Sequence, residues 1–296
     1  MPVFPLLEAI LVVGVWSTSF PLVKISLTEL SPFQVAGVRY FGAFLALVPF
    51  LLTWSRGTLK RLPLESWVRL AAMGVISYPV GNGLLFWGLQ SLQSTTSAFL
   101  LNAMPLATLG LGVVWLKERP TRRQLLGLVF ALGGGVVFFG TNIPNAEVVP
   151  ILATVFGAVC LAVFGVMARE FARNALVDGV TLAGVPLLFG GGLLMILVPP
   201  AHVPSARVFS VLVWLALVNS ALAYLIWNHA LRRLQAFEIS IVANLMPIGT
   251  ALIAPVLVGE TVEAAAWVGM AVALAGVILV GLGGRRQVPS PAVGGA

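Results

Sequence analysis

The chain has 296 residues, 59% hydrophobic and 9% charged, with a formal net charge of +7 and a mean hydropathy of +1.03. Soluble domains run at about 45–50% apolar and about 25% charged, so a soluble enzyme or binding module is excluded. The basic residues sit in short runs between apolar segments, which reads as membrane topology and not as a nucleic-acid surface.

A spanning helix needs about 20 mostly apolar residues. In chain order such segments fall at roughly 4–23, 33–54, 68–90, 93–116, 123–141, 148–168, 178–198, 208–231, 236–258 and 262–283. The first has no basic region before it and carries Glu8, so a retained helix is expected and not a cleaved signal peptide. The connections are short, and the tail 285–296 is expected to be disordered. One alternating set of loops holds most of the Lys and Arg, from Arg56, Lys60 and Arg61 to Arg285 and Arg286. The opposite set holds Lys24 and Arg207, and Arg39 lies inside a helix. That bias predicts both termini in the cytoplasm. The expected fold is all-α integral membrane, ten transmembrane helices, N-in and C-in. Cys160 has no partner for an internal disulfide and reads as a small packing residue.

The segment "NAMPLATLGLGVVWLKE", Asn102–Glu118, returns as "NLMPIGTALIAPVLVGE", Asn244–Glu260, 142 positions later. Pro105 maps to Pro247, Thr108 to Thr250 and Glu118 to Glu260; the match extends to Gly127 with Gly269 and Gly134 with Gly276. Five helices separate equivalent points. An odd number turns the second copy upside down, which predicts inverted repeats over 1–144 and 145–284 with a site between them, the logic of secondary transporters.

Ten helices as 5+5, with "VWSTSFPLVK", "SPFQVAGVRY" and "NAMPLATLGLGVVWLKE" followed by "RPTRRQLLGLVFALGGGVVF", resemble the drug/metabolite transporter superfamily, EamA type. Within it the chain looks like the YddG-type exporters of aromatic and other neutral amino acids. The resemblance implies a cavity lined by helices 1, 3, 4, 6, 8 and 9, gating by 2 and 7, and a peripheral place for 5 and 10. Small multidrug exporters of the superfamily depend on a midplane Glu. No Asp or Glu falls at the centre of a segment here, so a neutral or zwitterionic substrate and facilitated diffusion fit better than a cation and proton antiport.

Tyr78, Asn82 and Phe86 are spaced by four and share one helical face, with Pro79, Gly81 and Gly83 between them as candidate hinges. Their counterparts are Ser220, Tyr224 and Asn228, with Trp227 beside them. Cavity lining is one reading; polar glue between helices is the other. Asn102 and Asn244 precede Pro105 and Pro247 and either bind substrate or cap carbonyls that the prolines free. Thr95 and Ala98 share the face of Asn102, as Phe237 and Ser240 share that of Asn244. Trp16 and Ser19 share a face on the first helix, where Trp16 suits stacking on a substrate ring.

For Arg39, snorkelling to the outer interface is favoured over attraction of a substrate carboxylate. His229 reads as a satisfied structural residue. Small residues at spacing four, Gly127, Ala131, Gly135 and Ala265, Gly269, Ala273, predict close helix contacts within one protomer or between two. No metal or nucleotide motif is present, so no cofactor is expected and Gly133 and Gly190 open no phosphate loop. The expectation is a non-enzymatic exporter of amino acids in a bacterial inner membrane, monomeric or homodimeric, touching lipid and small molecules and no nucleic acid. An exporter of drugs, nucleosides or other metabolites on the same fold, with or without proton coupling, is the alternative.

Overall fold

A computed structural model describes residues 3–115, 120–140, 148–173, 177–231, 234 and 242–283. The expectations for Glu118, Arg232, Arg233, Phe237, Ser240 and the tail lie outside these. The described residues are helical without strands. Among the described residues eight helices are long and apolar enough to cross a membrane: α1 (Phe4–Ser26), α2 (Pro32–Thr53), α3 (Leu64–Leu89), α5 (Arg122–Phe139), α6 (Val148–Ala168), α7 (Gly179–Leu197), α8 (Ala206–Ala230) and α10 (Ala264–Leu282). They make this a multi-pass membrane protein.

The other two expected segments are interrupted. α4 comes in two pieces, Ser94–Leu100 and Ala103–Trp115, and α9 is Met246–Val258. Both breaks have one cause. Proline lacks an N–H and its ring collides with the carbonyl four residues back. Pro105 and Pro247 therefore disrupt the helix near Leu101 and Ala243, and the turns fall at Leu101–Asn102 and Asn244–Leu245. Each proline then sits in the first turn of the next helix, where a missing N–H costs nothing.

Helix starts follow their sequence signals. Ser31 and Gln34 form a capping box before α2, as Thr121 and Gln124 do before α5. Asp178 caps α7: Thr181 N donates to Oδ1 at 2.8 Å and Thr181 Oγ1 to Oδ2 at 2.9 Å. Ser55 Oγ, after α2, donates to Asp178 Oδ1 at 2.7 Å. Burial pushes this carboxyl up, but the hydrogen bonds from Ser55, Thr181 and Thr58 outweigh it and hold the group below its ordinary value. A lowered folded-state value stabilises the fold above the unfolded value of about 3.9, and that contribution is lost as pH falls through the folded value. Asp178→Asn should therefore lower Tm at pH 7, and the gap to wild type should shrink by pH 3. An equal gap at both pH values would show that the charge contributes nothing.

The lateral packing is reciprocal. A Cβ on Gly127 would strike Gly276 and Val280, and one on Gly134 would strike Gly269 and Ala273. Pairs 127–276 and 134–269 run in opposite senses, so α5 and α10 lie antiparallel, and each pair becomes the other when the 142-residue repeat is applied. Elsewhere α2 crosses α7, where Gly191 meets Tyr40 and Phe41, and Gly184 meets Leu51. α3 crosses α6, where Gly81 meets Cys160 and Gly157.

This corrects the small-residue stripe. The contact face uses Gly134, and Gly135 faces open space. Spacing alternates between three and four, as a 3.6-residue period requires. The stripe is occupied inside one chain, which removes it as an argument for a dimer.

Candidate functional site

Three interruptions of helical geometry converge in the middle of the bundle. α1 breaks at Thr18. Pro21 cannot donate to the Ser17 carbonyl four residues back, and Thr250 Oγ1 of α9 donates there instead, at 3.1 Å. Ser17 Oγ in turn bonds Val13 O at 2.8 Å and approaches Met246 O, at the start of α9, at 3.3 Å. Thus the α1 break and the α9 break rest on one another.

The second and third are π turns, Ile76–Asn82 in α3 and Leu217–Leu222 in α8, at overlapping positions of the two repeats. A π turn shifts the hydrogen bonding by one residue and frees carbonyls. Side chains satisfy two of these: Asn82 Nδ2 donates to Ser77 O at 2.9 Å, and Ser220 Oγ to Leu215 O at 2.9 Å. On the α8 turn, Asn219 Nδ2 donates to Val15 O at 2.8 Å and to Thr18 Oγ1 at 3.2 Å. Asn219 Oδ1 is buried without a partner.

The aromatic residues gather around these breaks. Trp16 donates its indole N–H to Asn219 O at 3.0 Å. Its ring lies 4.9 Å from Trp227 and 6.1 Å from Tyr224. On the other side Tyr40 is 4.4 Å from Tyr78 and stacks on Phe86 at 6.4 Å, while Phe164 of α6 lies 6.2 Å from Tyr78. Ser220 of α8 and Phe86 of α3 both lie against Arg39, which joins the two groups.

Of the expected site residues, Trp16, Ser19, Tyr78, Phe86, Tyr224 and Trp227 therefore come together. Others do not serve as expected. Asn82 is turned onto its own backbone. Asn228 Nδ2 points to Gly179 O at 3.5 Å, toward the start of α7. Tyr78 and Phe86 are buried in the core, but Asn82 is not part of that face, because the π turn breaks the spacing of four. Gly81 and Gly83 are contact points, against Cys160 and Phe33, and not free hinges; Pro79 lies within the π turn. Asn102 and Asn244 sit in the two helix breaks, half-buried and buried respectively.

Arg39 overturns its expectation most clearly. It does not snorkel: it is 4% exposed. Nε donates to Ser220 Oγ at 3.0 Å and Nη1 to Ser19 Oγ at 2.7 Å. Its guanidinium lies 5.1 Å from the Tyr40 ring centre and 5.9 Å from that of Phe86. So α2, which the resemblance assigned to gating, supplies the charge at the centre.

Two polar clusters lie toward opposite ends of the bundle. At one, Lys24 Nζ donates to Glu260 Oε1 at 2.7 Å and to Leu92 O at 2.8 Å, and Ser94 N donates to Glu260 Oε2 at 2.7 Å. At the other, His229 Nδ1 lies 2.9 Å from Glu8 Oε2, which makes His229 a structural partner as expected. Asn219, Ser17 and the Lys24–Glu260 pair were not singled out from sequence. Two signals were available: Pro21 four residues after Ser17, and a lone Lys at the charge-poor end.

The profile of the EamA-like transporter family matches residues 4–140 and, a second time, 148–282. The chain belongs to that family. Like other EamA proteins of the drug/metabolite transporter superfamily it is a membrane transporter. It is 27% identical over 295 residues, 95% of this chain and 96% of the relative, to a probable terminal-alkyne amino-acid exporter of Streptantibioticus cattleyicolor. It is 25% identical over 288 residues, 93% of this chain and 92% of the relative, to a probable amino-acid metabolite efflux pump of Salmonella typhimurium. An uncharacterized inner membrane transporter of Escherichia coli, YedA, is 27% identical over 291 residues, 96% of this chain and 92% of the relative. A solved crystal structure shares this fold with a TM-score of 0.69 at 21% identity, covering 94% of this chain and 97% of that one.

Proposed function

We propose that this EamA transporter exports small amphipathic metabolites, foremost aromatic and other neutral amino acids, by facilitated diffusion through alternating access. The observation that carries the reading is the aromatic group Trp16, Tyr224, Trp227 and Tyr78, built from both repeats around broken helices. Stacking surfaces suit an aromatic side chain, and broken helices at the middle of a bundle are where transporters place substrates. The printed names of the Streptantibioticus and Salmonella relatives point the same way.

The working units are two inverted five-helix halves, 1–144 and 145–284. The reciprocal antiparallel contact of α5 with α10 supports this, as do the two family matches. The distribution of Lys and Arg supports ten spans with both termini cytoplasmic, and YedA supports an inner membrane. In this orientation the Lys24–Glu260 cluster is the periplasmic closure. Polar partners for the substrate are Asn102 and Asn244 at the breaks.

Uptake of labelled phenylalanine into proteoliposomes, without an imposed ion gradient, tests the reading. Wild-type uptake should saturate. Trp227→Ala and Trp16→Ala should each reduce it about two- to ten-fold, since an aromatic pair is worth about 0.5–1.5 kcal/mol. No uptake above empty liposomes would sink the amino-acid facilitator. Competition by nucleosides or lipophilic cations, but not by amino acids, would move the substrate to that class.

A further inference from the structure

We propose that Arg39 is the receptor for a carboxylate on the substrate, so that this transporter selects aromatic and apolar acids, amino acids included, and rejects their amides and amines. The inference rests on the transporter reading and deepens its substrate class.

Arg39 lies eight residues into α2, so about 10 Å from the start of that helix at 1.5 Å per residue. It is 4% exposed, and an arginine side chain stays ionised. A buried charge costs several kcal/mol unless it is compensated. Among the described residues no carboxylate forms an ion pair with it. Its hydrogen-bond partners are two neutral hydroxyls, Ser19 and Ser220. These occupy two of the five guanidinium donors. Among the described residues Arg39 makes no further hydrogen bond.

A charge that no described carboxylate compensates, with its donor fork part-used, is what a planar bidentate anion would complete. The surroundings define the rest of such a ligand. The rings of Tyr40 and Phe86 flank the guanidinium. One residue from Ser220, Asn219 Oδ1 is a buried acceptor without a partner. Orphan donors and an orphan acceptor on neighbouring side chains complement a zwitterion with an apolar body. A cation or an amide offers Arg39 no counter-charge.

The test uses the purified full-length protein in lipid nanodiscs and four probes: phenylalanine, 3-phenylpropanoate, phenylalaninamide and phenethylamine. Binding is read by quenching of tryptophan fluorescence. Wild type should bind the two acids at least ten-fold more tightly than the amide and the amine. In Arg39→Gln that preference should fall to less than two-fold, and Arg39→Lys should retain only part of it. Circular dichroism and gel filtration check that each variant is folded. If Arg39→Gln does not fold, Arg39→Lys and the wild-type acid-to-amide ratio decide.

Equal wild-type binding of acid and amide would overturn the proposal, as would an undiminished preference in the folded variants or no binding of either acid. The two readings fail differently. If phenylalanine binds and the preference ignores Arg39, the amino-acid reading stands and this assignment falls. If 3-phenylpropanoate binds through Arg39 and phenylalanine does not, the reverse holds.

Discussion

Glu260→Ala is expected to open the end of the bundle that carries Lys24. Glu260 accepts both from α1, through Lys24 Nζ, and from the start of α4, through Ser94 N and Oγ. The Glu260 side chain is 9% exposed and that of Lys24 is 29% exposed. The pair stands between an exposed bridge, worth about 0–1 kcal/mol, and a buried one, whose breakage costs about 3–5 kcal/mol. A loss of about 1–3 kcal/mol from the closed arrangement alone would shift its population about five- to 150-fold.

Thr95, next to Ser94, is 1% exposed, and the chain's one cysteine, Cys160, is buried. A Thr95→Cys variant should therefore react slowly with an impermeant maleimide, and adding Glu260→Ala should raise the rate at least five-fold. An unchanged rate would show that the ion pair does not hold this end shut. Glu260→Gln should fall between, because its amide oxygen still accepts from Ser94 N.

The second large effect contrasts neighbours. Gly134→Leu should abolish a stable α5–α10 contact, and Gly135→Leu should not. At Gly134 any side chain meets the backbone of Gly269 and Ala273, which cannot give way; at Gly135 nothing stands within reach. Overpacking costs typically about 1–3 kcal/mol and more when backbone must move. Replacing a helical glycine whose added Cβ meets nothing gains up to about 1 kcal/mol of helix propensity. The melting temperature in detergent should fall by many degrees for Gly134→Leu and hold or rise for Gly135→Leu. Equal losses in both would mean that the antiparallel pairing is wrongly registered.

These predictions show where the sequence was readable. The repeat, the apolar segments and the glycine matches Gly127/Gly269 and Gly134/Gly276 were legible because each reflects a regular helical or repeat period. The breaks in α4 and α9 were half-legible: the prolines were visible, and their consequence for the carbonyl four residues back places the turns. That Trp16, Tyr224 and Trp227 lie together was legible because it needed only the right helix and face.

Arg39 was misread because depth along a helix does not reveal partners. Ser19 and Ser220 are 20 and 181 positions away, and nothing local marks them as a pair. Asn82 was misplaced for a different reason. A spacing of four assumes 3.6 residues per turn, and the π turn around it does not obey that.

Those π turns have a mechanical corollary. A π turn holds one residue more than the α-turn it replaces, and one residue of an α-helix is about 100° of rotation and 1.5 Å of advance. Each turn thus stores a phase offset in its own helix. Resolving the one in α8 to regular helix would swing Tyr224 and Trp227 by about that angle against the stretch that holds Leu212 and Leu215, with no hinge and no change in the direction of the rod. The aromatic faces of α3 and α8 are therefore held at an angle that a change from π to α turn would alter, whereas deleting a single residue in 76–82 or 217–222 would make the helix regular and leave its face in place.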